Sequence, residues 1–387
     1  MEDFETICYC SLNRIFGFDP AIARRLVDFH GGAGAVFRMD RNELSEILGP
    51  FSKYSDRIND RELDISRKEL EFLKRNGYSF VPYGSKNYPL LLKECDDAPM
   101  GLYVRSETEI SRIFNENPCI SVVGTRDISP YGAEWCRRVV GAMATARIKP
   151  VVVSGLAIGV DIIAHSTALD NGLATIAVMA TGVDDIYPSR HKGFAMKIER
   201  TNGCALISDY PLGTAPFAVN FLRRNRIIAG LSSATILIES KEKGGGMVTA
   251  DIASSYNREV YALPGRIDDA RSQGCNRLIR GKIAEPITDL DNFVNSLGLG
   301  VWSRRTMKDL DTEIVEKYAG VLDEGLLMNV RNTASLIKKY RGATMEELCS
   351  LGGMSWRDLS YAAGMLENDG IITVDLLQRC SINVKKE

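Results

Sequence analysis

Six stretches of the chain carry glycines, cations or polar side chains at spacings that suit a bound anion. In the first, the apolar run before Gly124 ends in Gly124-Thr125-Arg126, and Ser129-Pro130 then opens a helix. A glycine there lets backbone amides approach a phosphate, and Arg126 projects where the anion would sit. Ser154-Gly155-Leu-Ala-Ile-Gly159 repeats the pattern of strand, glycine turn and helix start, so Ser154, Gly155 and Gly159 are the second set of candidates. Lys192 and Phe194 follow Arg190 and His191 at a helix start beyond Tyr187-Pro188. A basic residue beside an aromatic suits a nucleotide that offers a phosphate and a base face, although a single Phe on a helix also suits a core. Arg223, Arg224, Asn225 and Arg226 form the densest cationic run, and Gly244, Gly245 and Gly246 before Thr249 make a backbone nest at a helix start. Gly274 and Asn276 lie in a polar turn after the last apolar run.

Asp161 and His165 are four residues apart on one helix face, a spacing open to metal or acid–base chemistry as well as to capping and core hydrogen bonding. The remaining histidines, His30 and His191, complete no ligand set, so no metal or cofactor is expected.

The elements that must position these turns are legible around them. Six apolar runs (119–124, 151–155, 175–182, 205–209, 235–240 and 259–265) are dense in Val, Ile, Leu and Ala without a polar alternate. That is the pattern of parallel strands covered on both faces. Helical spacing between them repeats strand and helix about every thirty residues, so the expected fold is α/β: a Rossmann-like, doubly wound, mostly parallel sheet that binds ligands at the strands' carboxyl ends. Short proline-flanked runs over 78–105 extend the sheet at its entry as edge strands or connectors. Residues 1–77 are expected to form a small helical domain of the helix-hairpin-helix or sterile-alpha-motif-like type, in which Asp19-Pro20 caps a helix and the glycines at 31, 32 and 34 turn it. The core spans 78–296 and a linker 297–330. In 331–387, two helices and a strand give a winged-helix-like domain, the second helix capped by Ser355.

The formal net charge of −2 requires any polyanion site to be a local patch. Nine cysteines without a C-x-x-C pair indicate reduced thiols, and no run of eighteen apolar residues occurs, so a cytoplasmic protein without a membrane segment is expected.

Taken in order, G-T-R, S-G-L-A-I-G-V-D, Y-P, R-N-R-I-I-A-G-L-S, G-G-G-M-V-T-A, L-P-G and S-Q-G-C-N-R-L-I resemble the DNA-processing protein A family (DprA, also called Smf), strongly over 78–290. The resemblance implies a dimeric single-stranded DNA-binding core that protects incoming DNA and loads the recombinase RecA during natural transformation, without catalysis. It also implies that Arg126, Lys192, Gly155, Gly159 and Gly244 to Gly246 hold phosphates, with Arg224, Asn225 and Arg226 beside them. The chain departs from the family where Gly244-Gly245-Gly246 stands in place of a glycine turn preceded by a serine, and where Gly281-Lys282-Ile283-Ala284 replaces a Gly-Ala ending. The competing reading is a nucleotide-processing enzyme of the phosphoribohydrolase type built on the same glycine-rich pocket. The turn G-G-G-M-V-T-A-D lacks the glutamate that such enzymes use.

Overall fold

The computed structural model describes residues 3–299, 307–340, 342–375 and 378–382. They fall into two compact units, Met1–Gly300 and Val301–Glu387.

The first unit opens with five helices: α1 (Phe4–Ile15), α2 (Pro20–His30), α3 (Ala33–Val36), α4 (Arg41–Leu48) and α5 (Asp60–Arg75). Gly31 turns α2 at φ 78°, as its place after the last apolar residue predicts. Asp19 does not cap α2; its carboxylate accepts from the Tyr54 hydroxyl and Lys53 instead. Asp40 caps α4 in a reciprocal box with Glu43.

The sheet follows as β1 (Tyr78–Pro82), α6 (Leu90–Glu94), β2 (Gly101–Arg105), β3 (Cys119–Val123), α7 (Pro130–Thr145), β4 (Val151–Ser154), α8 (Val160–Asp170), β5 (Thr175–Val178), α9 (Lys192–Arg200) and β6 (Ala205–Ser208). It continues with α10 (Ala218–Leu231), β7 (Ala234–Leu237), α11 (Gly245–Ser255), β8 (Glu259–Ala262), α12 (Gln273–Arg280), β9 (Glu285–Pro286) and α13 (Leu290–Ser296). Nine strands pair in the order β1-β2-β6-β5-β4-β3-β7-β8-β9. β1 and β2 are antiparallel additions at one edge, and β3 to β9 are all parallel to one another. The chain steps outward from β3 to β6, returns through α10 and resumes on the other side of β3 with β7. β3 and β7 therefore flank the switch point, where an open α/β sheet leaves a crevice beyond its carboxyl ends.

Successive strand residues point to opposite faces, and both faces are covered. Ile120, Val122, Val152 and Ile236 pack against α7 and α8 through Val139, Val140, Met143 and Ala164. Val123, Val153, Val178 and Leu237 pack with Ile227 and Ile228 of α10 and Met247 of α11 on the other side. At roughly 25 cal/mol per Å² of apolar area removed from water, this two-sided burial is the main force holding the layers. α1 to α5 share the second of these cores: Leu12, Phe16, Leu70 and Leu73 belong to it.

The second unit comprises α14 (Met307–Tyr318), α15 (Glu324–Lys339), α16 (Met345–Gly352), α17 (Trp356–Asn368), β10 (Ile372–Val374) and β11 (Cys380–Ile382). Ser355 accepts from the Asp358 amide and caps α17, and β10 pairs antiparallel with β11. The linker expected over 297–330 is corrected: α14 and the first half of α15 occupy most of it, with Leu310, Ile314, Tyr318 and Val330 in the unit's own core. The part of that linker at 300–306, including Trp302 and Arg305, lies outside the described residues.

Candidate nucleic-acid interface

Three of the expected turns converge at the switch point. After β3, the Thr125 amide donates to the Glu239 carbonyl at 2.7 Å, and the Thr125 carbonyl accepts from the Val160 amide at 3.2 Å. Gly159 sits at φ 84°, ψ −126°, a region closed to residues with a Cβ, and a methyl there would collide with the backbone of Thr125 and Arg126. Gly246 meets Gly124 in the same way, since a Cβ on Gly246 would lie 3.0 Å from the Gly124 Cα. These glycines are needed because protein backbone fills the space beside them. The same crowding on the Cβ side is found at Gly124, Gly155 and Gly274. A side chain on Gly155 would strike the Arg224 guanidinium, and one on Gly274 the Ser240 and Lys241 carbonyls.

Gly245 differs. It is exposed, nothing lies within 4 Å of where its Cβ would be, and it is the first residue of α11, where backbone N–H groups have no intrahelical acceptor. Lys241 and Lys243 are exposed just before it, and Gly244 is half-buried.

Arg126 is exposed on the 124–126 turn, its guanidinium 5.0 Å from the Phe221 ring centroid. Phe221 in turn meets Tyr187 edge-on, with centroids 5.5 Å apart, and Tyr187 is 44% exposed. A cation and two aromatic rings thus form a row beside the switch point, the combination that base stacking and phosphate pairing require. Tyr187 and Phe221 are not among the site residues expected from the sequence; their signal is an aromatic two residues before the arginine run and another beside Pro188.

The arginine run itself is internal. Arg224 is buried and donates to the Val178 carbonyl and, at 2.8 Å, to the Gly155 carbonyl, tying the carboxyl ends of β4 and β5 to α10. Burial pushes its pKa down to about 10, against the opposing pull of Asp161 and with the help of the Arg126 charge, so it stays protonated at neutral pH. Arg226 forms a buried pair with Asp209 at 2.5 Å and donates to the Asp97 carbonyl. Arg223 donates to the Gly17 carbonyl, and its guanidinium lies 3.8 Å from the Phe18 ring centroid. Asn225 reaches the Gly245 carbonyl at 3.4 Å. The density of cations on α10 therefore holds the scaffold together and does not face an open groove.

Other expected residues also turn inward. Ser154 is fully buried and donates to the Val122 carbonyl at 2.6 Å. Thr249 is buried and donates to the Gly245 carbonyl, and Asn276 clamps both backbone groups of Gly265. Phe194 is half-buried and packs against the core cluster of Leu156, Met179, Ala195 and Ile198. Lys192 is exposed at the start of α9, next to His191, whose Nδ1 bonds the Leu156 carbonyl at 2.8 Å.

Asp161 and His165 have structural roles as well. Asp161 accepts from the Ala157 amide at 3.3 Å, and burial raises its pKa against the neighbouring Arg224 charge. The Thr175 hydroxyl donates to the Val152 carbonyl, so it receives the Nδ1 proton of His165 at 2.6 Å. Burial pushes His165 down to about 3, with Arg224 and His191 adding to the shift, which makes it neutral at physiological pH. Glu239, not among the residues expected from the sequence, is buried, and its carboxylate accepts from the Ser129 amide at 2.9 Å and from the Ser129 hydroxyl. Among the described residues no group of three or more His, Cys, Asp or Glu side chains could hold a metal ion, and no helix is long and apolar enough to cross a membrane.

The family profile described as DNA recombination-mediator protein A matches residues 79–298. Protein Smf of Synechocystis is 31% identical over 299 residues, which is 77% of this chain and 74% of the relative. The X-ray structure of DNA processing protein A (DprA) from Streptococcus pneumoniae superposes with a TM-score of 0.63 at 28% identity, covering 74% of this chain and 95% of that one. DNA processing protein A from Helicobacter pylori, whose single-stranded DNA binding mode has been studied structurally, matches with a TM-score of 0.50 at 30% identity over 57% of this chain and 95% of its own. With its switch-point turns formed by the motifs that suggested the family, the chain belongs to the DNA recombination-mediator protein A family.

Proposed function

We propose that this protein binds single-stranded DNA along the row at the switch point, with Arg126 and the α11 amides at Gly245 on phosphates and with Tyr187 and Phe221 offered to bases. The observation that carries this reading is the exposed Arg126 guanidinium over Phe221 at the carboxyl end of β3, beside an open helix start. Lys192, Lys241 and Lys243 add exposed positive charge on neighbouring turns. The DNA binding studied in the Helicobacter relative supports it. The role is that of a recombination mediator that acts as a homodimer, protects the strand and hands it to a RecA-type recombinase during uptake of DNA. The nine cysteines are unpaired and eight are buried, which suits a reducing cytoplasm. Binding without catalysis is favoured because Asp161 and Glu239, two buried carboxylates behind the switch-point turns, are engaged by backbone amides and Ser129. Three modules are proposed: α1 to α5 as a helical module, 78–296 as the binding core and a winged-helix-like module in the second unit.

Titrating labelled single-stranded and duplex oligonucleotides over a range of salt tests the reading. Tight single-strand binding with little sequence preference and a steep fall with salt is expected. Preference for duplex, or no binding, refutes it, and release of free base from nucleoside monophosphates would replace it with the nucleotide-processing reading.

A further inference from the structure

We infer that Glu69 and Asn13, on the N-terminal helices, are positioning residues for the oligonucleotide site: they fix the loop that carries the site's aromatic helix. The inference rests on the binding site proposed above and extends it to a module outside the binding core.

The loop in question runs from Asp209 to Phe217 and joins β6 to α10, the helix that bears Phe221 and Arg224. Glu69 of α5 is only 8% exposed, and its carboxylate gathers four donors. Oε2 accepts from Arg14 at 2.7 Å, from the Tyr103 hydroxyl at 3.2 Å and from the Cys10 thiol at 3.9 Å. Oε1 leaves that group and accepts from the main-chain amide of Leu212 at 2.8 Å. The very next amide, Gly213, is taken from the other side by Asp184 at 3.0 Å, in the segment that leads to Tyr187. Consecutive amides of one loop are therefore held by two carboxylates, one from the helical module and one from the segment that carries the aromatic row. Asn13 of α1 adds a third tie, donating to the Asp209 carbonyl at 2.8 Å, and Arg223 on α10 reaches the Gly17 carbonyl.

A buried carboxylate whose charge is matched by Arg14 and whose free oxygen meets a backbone amide is a rigid linkage, because moving either end strands an ionised group away from water. The linkage does not face solvent beside Arg126 or Phe221, so its effect on the ligand must pass through the loop. Losing it frees the start of α10 and lets Phe221 drift from Arg126, which weakens base stacking while leaving the phosphate contacts in number unchanged.

The test uses the full chain. Hydrogen exchange over 209–217 and the affinity for a labelled oligothymidylate, read across a salt series, are compared for the wild type, Glu69→Ala and Glu69→Gln. In Glu69→Ala, exchange at Leu212 and its neighbours should rise and affinity should fall by about tenfold, with the slope of log affinity against log salt unchanged because no phosphate contact is removed. Glu69→Gln keeps an oxygen for the Leu212 amide and should recover much of the loss. If Glu69→Ala does not fold, Asn13→Ala, which removes a single tie to the loop, is read in the same way. Faster loop exchange with wild-type affinity overturns the inference, as does an affinity loss that Glu69→Gln does not restore. A wild-type protein that binds no oligonucleotide sinks the proposed site itself, an outcome distinct from either.

Discussion

Replacing Arg126 by alanine isolates the one arginine at the switch point whose guanidinium is exposed and lies over the Phe221 ring at 5.0 Å. The loss should be almost entirely one of binding. Its side chain is exposed, so truncation costs the fold no more than about 0.5 kcal/mol. A charge-assisted hydrogen bond to a phosphate is worth about 1.5 to 3 kcal/mol, so affinity should fall by roughly ten- to a hundredfold. One fewer cation on the backbone should also flatten the dependence of log affinity on log salt by about 0.7. Arg126→Lys, which keeps charge but loses the planar fork and the flat contact with the ring, should lie between the two in affinity and retain the wild-type slope. The assay is fluorescence anisotropy of a labelled single strand at several salt concentrations, with thermal unfolding as the control. If Arg126→Ala binds as the wild type does while unfolding at the same temperature, the guanidinium does not touch phosphate and the site is misassigned.

Arg224→Ala should behave in the opposite way: it leaves the Gly155 and Val178 carbonyls and the Asp161 carboxylate without their buried partner, so urea unfolding should show a loss of about 3 to 5 kcal/mol. Gly159→Ala forces a Cβ into the 124–126 turn at positive φ, and both stability and oligonucleotide affinity should drop in calorimetry and titration. His165 is held neutral in the fold down to about pH 3, whereas in the unfolded chain it takes a proton below about 6.5. Its contribution to stability is therefore complete above pH 6.5 and declines toward pH 3, by about 2 kcal/mol at pH 5. Chemical denaturation at pH 7.5 and pH 5 should show that part of the decline disappearing in His165→Gln. A fragment of residues 78–296 should fold poorly and bind weakly, because Tyr103 and Leu102 share a core with Leu12, Phe16 and Leu73; a well-folded fragment with full affinity would contradict this.

How far the sequence carries depends on what kind of partner a residue needs. The parallel strands were legible because Ile120, Val152 and Ile236 belong to runs that lack a polar alternate, and only a sheet covered on both faces accepts such runs. The turn after β3 was legible because Gly124 and Ser129-Pro130 follow local rules of turn and cap. Arg224 and Arg226 turn inward because their partners, the carbonyls of residues 155, 178 and 97 and the Asp209 carboxylate, lie outside the arginine run and are brought to it only by the fold. Arg223, Arg224 and Arg226 show in the sequence only as a count of cations, and a count does not say whether a groove or a set of strand ends neutralises them. Phe194 is ambiguous for the complementary reason, since an aromatic beside a lysine reads alike on a core face and on an open one. Over 307–330 the signal was present but overlooked. Leu310, Ile314 and Tyr318 recur every four residues, and Val330, Ala334 and Ile337 continue the spacing of a helix, beneath a charged surface that suggested a linker.

Both rims of the sheet carry a proline. β1 ends at Pro82, and β9, only two residues long, ends at Pro286. A residue without an N–H cannot continue a ladder, so neither rim offers a full row of donors to a strand from outside. Two copies pairing along either of these rims would therefore form an incomplete ladder, which works against association of this sheet by its edges.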